Sequence, residues 1–460
     1  MAPRAPQHRP LLVPAASFLF SLEGRRSSGR ILPRVCAVLS LLSHRPRFRP
    51  LEPWQRNQYI IVLTVALAQV AFDLTQPFIP LYVRYLGVTD VGEAALWSGV
   101  VVGVGPLGAA IMGPVWGSLA DRFGRKPMVL RALVLISIMQ IASAFVPDVH
   151  WLFAARVVMG LFAGFTAMVM ALAVSVSPRE RMAQAIGLVQ AAQLAPTAIG
   201  PTIGGVVSDT LGLRANFILT GLILIVPATL LYFLVREASY ADAADRPAVR
   251  PATKRGSVFS IFTIPGFAAA LAILFVARFA DRALPPILPL FLVELDTPSA
   301  QLATITGLVV SSGAVAAACS SMIYGRRARP DNSRRLLIIA LAGGAACSIL
   351  LGLVVSWTQV VVLRVVLGLL AGGSMSLAYT MGARLAPAER SGLTLSVLAS
   401  CAMLGGAASP MLAGLIGQAS LRSVFLANAA AYLVAVALAA LVAARGAPAP
   451  GPHRAPEPET

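Results

Sequence analysis

Ionisable side chains inside otherwise apolar stretches are the residues of this chain whose types and spacing can do chemistry. Asp73 lies in the middle of one such stretch, four residues after Gln69 and four before Pro77. Arg156 interrupts a second stretch, and Arg278, Asp281 and Arg282 interrupt a third. At the centre of a bilayer each such charge costs about 2.5 to 3.5 kcal/mol on insertion scales, so it must face protein or water, find a partner, or be neutralised. A carboxyl in that position is suited to taking a proton on one side of a barrier and releasing it on the other. Asp73 has no charged partner on its own helix and is the first choice for that role. Asp281 is the reserve, because it can pair with Arg278 at i,i+3, which leaves Arg282 in need of an anion or water. The four histidines (His8, His44, His150, His453) and four cysteines (Cys36, Cys319, Cys347, Cys401) show no ligand or redox spacing. No metal site, cofactor or enzymatic centre is therefore expected.

The elements that position these residues are membrane helices. Of the 460 residues 57% are hydrophobic and only 12% charged, with a mean hydropathy of +0.78, whereas soluble globules carry about 25% charged residues. The net charge of +18 does not indicate nucleic acid, because the basic residues cluster in short runs at the ends of apolar stretches and in the N-terminal segment. Hydropathy predicts twelve spans, at about 57–86, 96–120, 127–147, 150–174, 182–208, 213–235, 264–294, 300–324, 334–355, 358–385, 391–417 and 422–444. The longest polar gap divides them six and six. The expected organisation is an N-terminal basic extension (1–52), a six-helix bundle (53–236), a linker (237–260), a second six-helix bundle (261–446) and a tail (447–460). The extension, rich in Arg, Pro and Ser, reads as disordered, as sequence upstream of the true start, or as an organellar transit segment. The Pro-rich tail reads as disordered. With both termini on the cytoplasmic side, the cytoplasmic ends after residue 57 hold nineteen Lys and Arg, against Arg84, Arg214 and Arg422 outside. That asymmetry fixes the expected orientation.

The two halves repeat. Arg156 to Gly164, RVVMGLFAG, recurs as RVVLGLLAG from Arg364, and Pro77 with Pro80 recurs as Pro286 with Pro289. Parallel duplication of a six-helix unit implies a pseudo-two-fold along the membrane normal and a substrate cavity near the midplane between the halves. The fifth span carries Pro196, Gly200, Gly204 and Ser208 at intervals of four, and its partner carries Gly405, Ser409, Ala413 and Gly417. Such a strip lets another backbone approach closely.

Between the second and third spans stands Gly117-Ser-Leu-Ala-Asp121-Arg122-Phe-Gly124-Arg125-Lys126. An ordinary positive-inside loop explains the cations but not Asp121 or the glycines. The spacing resembles, position for position, the signature loop between helices 2 and 3 of the major facilitator superfamily. In that family the aspartate acts with neighbouring arginines near the N-terminus of the eleventh helix as a conformational latch. Gly200-Pro201-Thr-Ile-Gly204-Gly205, with Gly187 in the first position, resembles the fifth-helix motif of the superfamily's drug/proton antiporters, although Pro196 replaces the middle glycine. Arg156 with Gly160 and Gly164 resembles their fourth-helix motif, whose arginine influences protonation of a carboxylate; an arginine this close to the interface can also simply snorkel. Trp54 to Asn57, Pro77 to Val83 and Trp97 to Gly99 extend the likeness to the twelve-helix multidrug exporters, the multidrug-resistance protein G type among them.

The resemblance implies an all-α membrane protein with twelve helices in two pseudo-symmetric bundles. It further implies a monomer in the bacterial inner membrane that exports amphiphilic drugs or toxic small molecules in exchange for protons. Gln69, Phe72, Phe78, Tyr82, Phe165, Arg278, Phe279, Arg282 and Tyr379 are the candidate cavity residues, with bilayer-facing or core packing as the alternative for the aromatic ones. Two rival readings remain on the same fold: an exporter of a sugar or other metabolite, and a transport-inactive receptor or assembly factor.

Overall fold

The computed structural model describes residues 52–178, 181–235, 266–329, 331–384 and 391–444. The expected N-terminal extension up to residue 51, the 237–260 linker and the 447–460 tail lie outside the described residues. The described residues form helices and short connections. The first half comprises α1 (Pro53–Thr75), α2 (Ile79–Tyr85), α3 (Val91–Phe123), α4 (Arg125–Ser143), α5 (Val149–Phe162), α6 (Phe165–Ser175), α7 (Met182–Leu194), α8 (Gly200–Leu211) and α9 (Leu213–Leu234). The second comprises α10 (Phe267–Ala283), α11 (Leu288–Glu294), α12 (Leu302–Arg327), α13 (Ser333–Gly352), α14 (Trp357–Ala371), α15 (Ser374–Arg384), α16 (Ser391–Ala419) and α17 (Leu421–Ala444).

Ten stretches are long and apolar enough to cross a membrane, among the described residues. The expected fifth and seventh spans are each divided. In the fifth, a 3-10 turn over Ala195–Ala198, built around Pro196, separates α7 from α8. In the seventh, Pro285 and Pro286 follow α10, and the chain turns before α11 begins. Proline lacks the N–H that continues a helix and clashes with the preceding turn, which accounts for both breaks. Breaks also recur at equivalent places of the repeat. Gln76–Phe78 forms a 3-10 turn around Pro77, the mate of Pro286, and the fourth span divides at Ala163 and Gly164 as the tenth does at Gly372 and Gly373.

Packing reproduces the sequence repeat atom by atom. A Cβ on Gly160 would come within 2.8 Å of the Gly105 carbonyl oxygen, and one on Gly368 within 2.6 Å of the Gly313 carbonyl oxygen, so the second and fourth spans touch backbone to backbone as the eighth and tenth do. Lys126 Nζ donates to the Tyr232 and Val235 carbonyls at 2.8 and 2.6 Å, at the end of α9. In the second half Arg334 Nε donates to Ala439 O at 3.1 Å, in α17. A cation at a helix C-terminus satisfies orphan carbonyls and complements the helix dipole.

The halves meet along two seams. In one, α3 lies on α16: a Cβ on Gly99 would fall 2.3 Å from Pro410 O, and one on Gly92 2.5 Å from Gln418 O. In the other, α8 lies on α12, with Gly205 against Ala303 O and Gly307 against Pro201 O. Both seams lie toward the end of the molecule that carries Asp90 and Asp209. Further along α3, toward Asp121, a Cβ on Gly113 or Gly117 would meet nothing within 4 Å.

Candidate functional site

Asp73 sits in the last turn of α1, where the helix gives way to the 3-10 turn at Pro77. Gln69, one turn earlier on the same face, donates from Nε2 to Asp73 Oδ1 at 3.0 Å. The second carboxylate oxygen, Oδ2, is buried without a hydrogen-bond partner. Gly200 of the fifth span lies directly against this side chain: a Cβ there would stand 2.7 Å from Asp73 Cβ. A larger residue at 200 would displace the carboxylate, so the glycine makes the pocket for it. A carboxyl with one satisfied and one open oxygen, away from bulk water, is fitted to hold a proton on the open oxygen.

Across the cleft the seventh span supplies the opposing charges. Arg278 Nη1 donates to Asp281 Oδ2 at 3.0 Å, the expected i,i+3 pair, and Arg282 Nε leans on the same oxygen at 3.9 Å. Asp281 and Arg282, in the last turn of α10 and midway along the seventh span, keep 53% and 54% of their side-chain surface exposed, as a water-filled cleft allows. Arg282 is also within electrostatic reach of Asp73, and Asp281 of Arg364 and Tyr432. Gly406 of α16 lies against the stems of both arginines, and Tyr379 of α15 lies within reach of Arg278. The site thus gathers charges from the first, seventh and tenth spans.

At the far end of the cleft, Gly124 closes α3 and opens α4 with φ +96° and ψ 148°, a conformation essentially restricted to glycine. The tight corner sends Arg125 Nη1 to Ala171 O at 2.8 Å and Lys126 to the end of α9. Asp121 is 74% exposed and pairs with Arg125 at 3.8 Å; Arg122 lies over the Phe123 ring at 5.5 Å. Among the described residues, which exclude 385–390, the bond expected of Asp121 to the start of the eleventh span is not made. That is the physical counterpart of the open end of α3: the seams hold the opposite end together and leave this one apart.

The sequence profile of the Major Facilitator Superfamily matches residues 61–328 and 270–459. The chain belongs to the major facilitator superfamily. It is a multi-pass membrane transporter, not an enzyme. It is 28% identical over 376 residues to the multi-drug resistance efflux pump PmrA homolog of Lactococcus lactis, covering 80% of this chain and 90% of that protein. It is 30% identical over 383 residues to the multidrug resistance protein MdtG of Yersinia enterocolitica, covering 83% and 91%. Its fold is similar to that of a bacterial homolog of the human lysosomal transporter Spinster in an inward-facing, occupied conformation, with a TM-score of 0.70 at 17% identity, covering 86% and 98% of the two chains.

Against that family, several expected residues fall elsewhere than expected. Phe78 and Tyr82 are wholly buried: Phe78 packs with Leu81 and Ala303, while Tyr82 donates to Ser143 O at 2.8 Å and packs at a tilt against Phe217. Phe165 lies in the core of the first bundle. These three are packing residues here, whereas Gln69, Phe72, Phe279 and Tyr379 remain partly accessible. Arg156 does not snorkel. It is 5% exposed, with its guanidinium 5.7 Å from the Phe217 ring centroid and with Nε and Nη2 lacking hydrogen-bond partners. The cation within reach of Asp73 is Arg282, not Arg156. In the fifth-span motif, Gly204 and Gly205 are contact points on both sides: a Cβ would fall 2.1 Å from Leu74 O at the first and 2.4 Å from Ala303 O at the second. Gly187 meets nothing within 4 Å.

Sequence reasoning missed Asp209, whose carboxylate bonds across the halves, and the electrostatic proximity of Asp73 to Arg282. Their equivalence was available in the repeat, since the offset of 209 residues that relates Pro77 to Pro286 also relates Asp73 to Arg282. Also missed was the Trp116 and Arg131 pair. The indole donates to Leu161 O at 2.7 Å, and the guanidinium stacks on that ring at 3.4 Å and donates to Phe162 O at 3.1 Å. Together they cap the break in the fourth span.

Proposed function

We propose that this transporter exports amphiphilic drugs or other toxic small molecules in exchange for protons, by alternating access of the cleft to the two sides of the membrane. The observation that carries the reading is Asp73, a carboxyl set under Gly200 with one open oxygen and with Arg282 of the other half within reach. Protonation removes its attraction for Arg282 and so changes the balance between the two halves. The multidrug names of the relatives support the substrate class, and the positive-inside count supports an orientation with the Asp121 end and both termini in the cytoplasm of a bacterial inner membrane. In that orientation the cleft opens inward. The site uses Asp73 for the proton, Gln69 to hold its carboxylate, Arg282 to act on its charge from the other half, and Phe72, Phe279, Arg278 and Tyr379 to meet substrate. Arg156 acts through its packing on Phe217.

The test is a drug-susceptibility panel in an efflux-deficient host, with and without an uncoupler. Resistance that collapses with the uncoupler is the expected result; unchanged susceptibility to every compound would overturn the drug-export reading. Competition by sugars or other metabolites in proteoliposomes would instead favour the metabolite exporter.

A further inference from the structure

A helix that begins without a capping side chain leaves its first N–H groups unsatisfied. α12 begins that way, for its N-cap residue Gln301 makes no side-chain bond. The carboxylate of Asp209, in the last turn of α8, supplies what is missing. Its Oδ1 accepts from the Ala303 N–H at 3.1 Å and its Oδ2 from the Thr304 N–H at 2.7 Å. These are the second and third helical positions, the two donors that a resident cap takes. Asp209 is therefore an N-cap provided by the first half to a helix of the second. The seam around it includes the Thr202 N–H donating to Ser311 Oγ at 3.2 Å and the two glycine contacts with Ala303 and Pro201. The other seam is built differently. There α3 carries its own cap, Asp90, which accepts from the Glu93 N–H at 2.7 Å, and the repeat mate of Asp209 is Gln418, whose backbone carbonyl packs on Gly92.

We infer that Asp209 is a positioning residue for the transport cycle: it holds the two halves shut at its own end and must release α12 before that end can open. The inference rests on the alternating-access reading above. Separation of α8 from α12 breaks both bonds at once and exposes the α12 N-terminus, whereas separation of α3 from α16 leaves the Asp90 cap intact. A cavity of about 470 Å³ lined by Arg84, Tyr85, Asp209, Leu302 and Ala303 adjoins the bond, so water can reach the carboxylate as it lets go. Asp209 touches neither the charged cleft nor substrate; it acts only on the balance between closed and open forms.

The experiment measures distances between spin labels in the full chain reconstituted in lipid nanodiscs, with one pair at Thr89 and Ser420 and another at Arg181 and Arg326. Asp209→Ala should raise the population with a long Thr89 to Ser420 distance by roughly two- to thirty-fold, the range produced by losing an N-cap. Asp209→Asn, which keeps one acceptor, should give a smaller shift and serves where the alanine variant fails to fold. A second arm restores a cap within α12 itself, by adding Gln301→Asp to Asp209→Ala. Recovered thermal stability with the distance shift retained supports the cross-half role. Wild-type distance distributions in Asp209→Ala or Asp209→Asn, or complete reversal of the shift by Gln301→Asp, would overturn it. If the wild-type distances respond to neither substrate nor pH gradient, the alternating-access reading fails, and that outcome is separate from the comparison of variants.

Discussion

Asp73 and Arg282 occupy the same place in the two halves of this transporter, and their opposite charges lie within reach of one another across the cleft. Gln69 and Arg278, one turn earlier in each half, are related by the same offset. The repeat therefore sets a hydrogen-bonded acid in the first half against two bases in the second. Any event that neutralises Asp73 is felt directly by the other bundle.

Asp73→Asn is expected to abolish export driven by a pH gradient while leaving substrate binding or downhill exchange measurable, and Asp281→Asn to retain gradient-driven export. A double-mutant cycle of Asp73→Asn with Arg282→Gln should give a coupling of about 0.5 to 3 kcal/mol. Proteoliposome transport with imposed gradients reads both. Gradient-driven export that survives Asp73→Asn and disappears with Asp281→Asn would move the proton site to the seventh span.

Asp121→Asn should lower the transport rate with little effect on expression or melting temperature. The side chain is largely exposed and its single ion pair, at 3.8 Å, contributes about 0 to 1 kcal/mol to stability. Native transport by a normally expressed variant would sink the latch assignment.

The spans, the repeat and the family motifs were legible because each is written in hydropathy, in glycine and proline, or in charge placed where the bilayer forbids it. What the chain order does not carry is which faces meet. Phe78, Tyr82 and Phe165 looked like cavity residues because an aromatic suits either a ligand or a core, and only packing separates the two. Arg156 drew attention because a family motif names it, while Arg282, the cation within electrostatic reach of Asp73, belonged to a helix with no such motif. Asp209 was silent for the same reason: a carboxylate at the end of one apolar helix gives no sign that it caps another 94 residues away. The division of the fifth span was not expected from hydropathy, which reads 182–208 as one stretch, although Pro196, which stands where the family has glycine, is the residue that causes it.

Gly204→Ala and Gly205→Ala should each destabilise the protein by at least about 1 to 3 kcal/mol, since the added methyl meets backbone carbonyls that cannot move aside without parting two helices. Gly187→Ala, with open space around it, should be neutral or stabilising by up to about 1 kcal/mol. Thermal unfolding of the purified variants in detergent distinguishes these outcomes, and equal melting temperatures for all three would refute the packing account of the motif.

Cysteines placed at Arg122, Arg181 and Arg335 should resist impermeant thiol reagents in intact cells and react in inverted vesicles. Arg255, expected on the same side, lies outside the described residues and extends the test to the linker. Labelling in intact cells would reverse the orientation, and with it the side to which the cleft opens.

The matched contacts of the two bundles, from Gly105 on Gly160 to Gly313 on Gly368 and from Lys126 to Arg334, are those that two identical six-helix chains could make within themselves. The approach of the opposite charges of Asp73 and Arg282 is not. In a symmetric homodimer those positions would carry the same side chain, and two acids or two arginines would repel across the axis. Joining both units in one polypeptide removes that constraint, because each copy is then free to carry a different charge. A single chain can thus hold an unlike pair on its own pseudo-axis, the place where an assembly of identical subunits is confined to like with like.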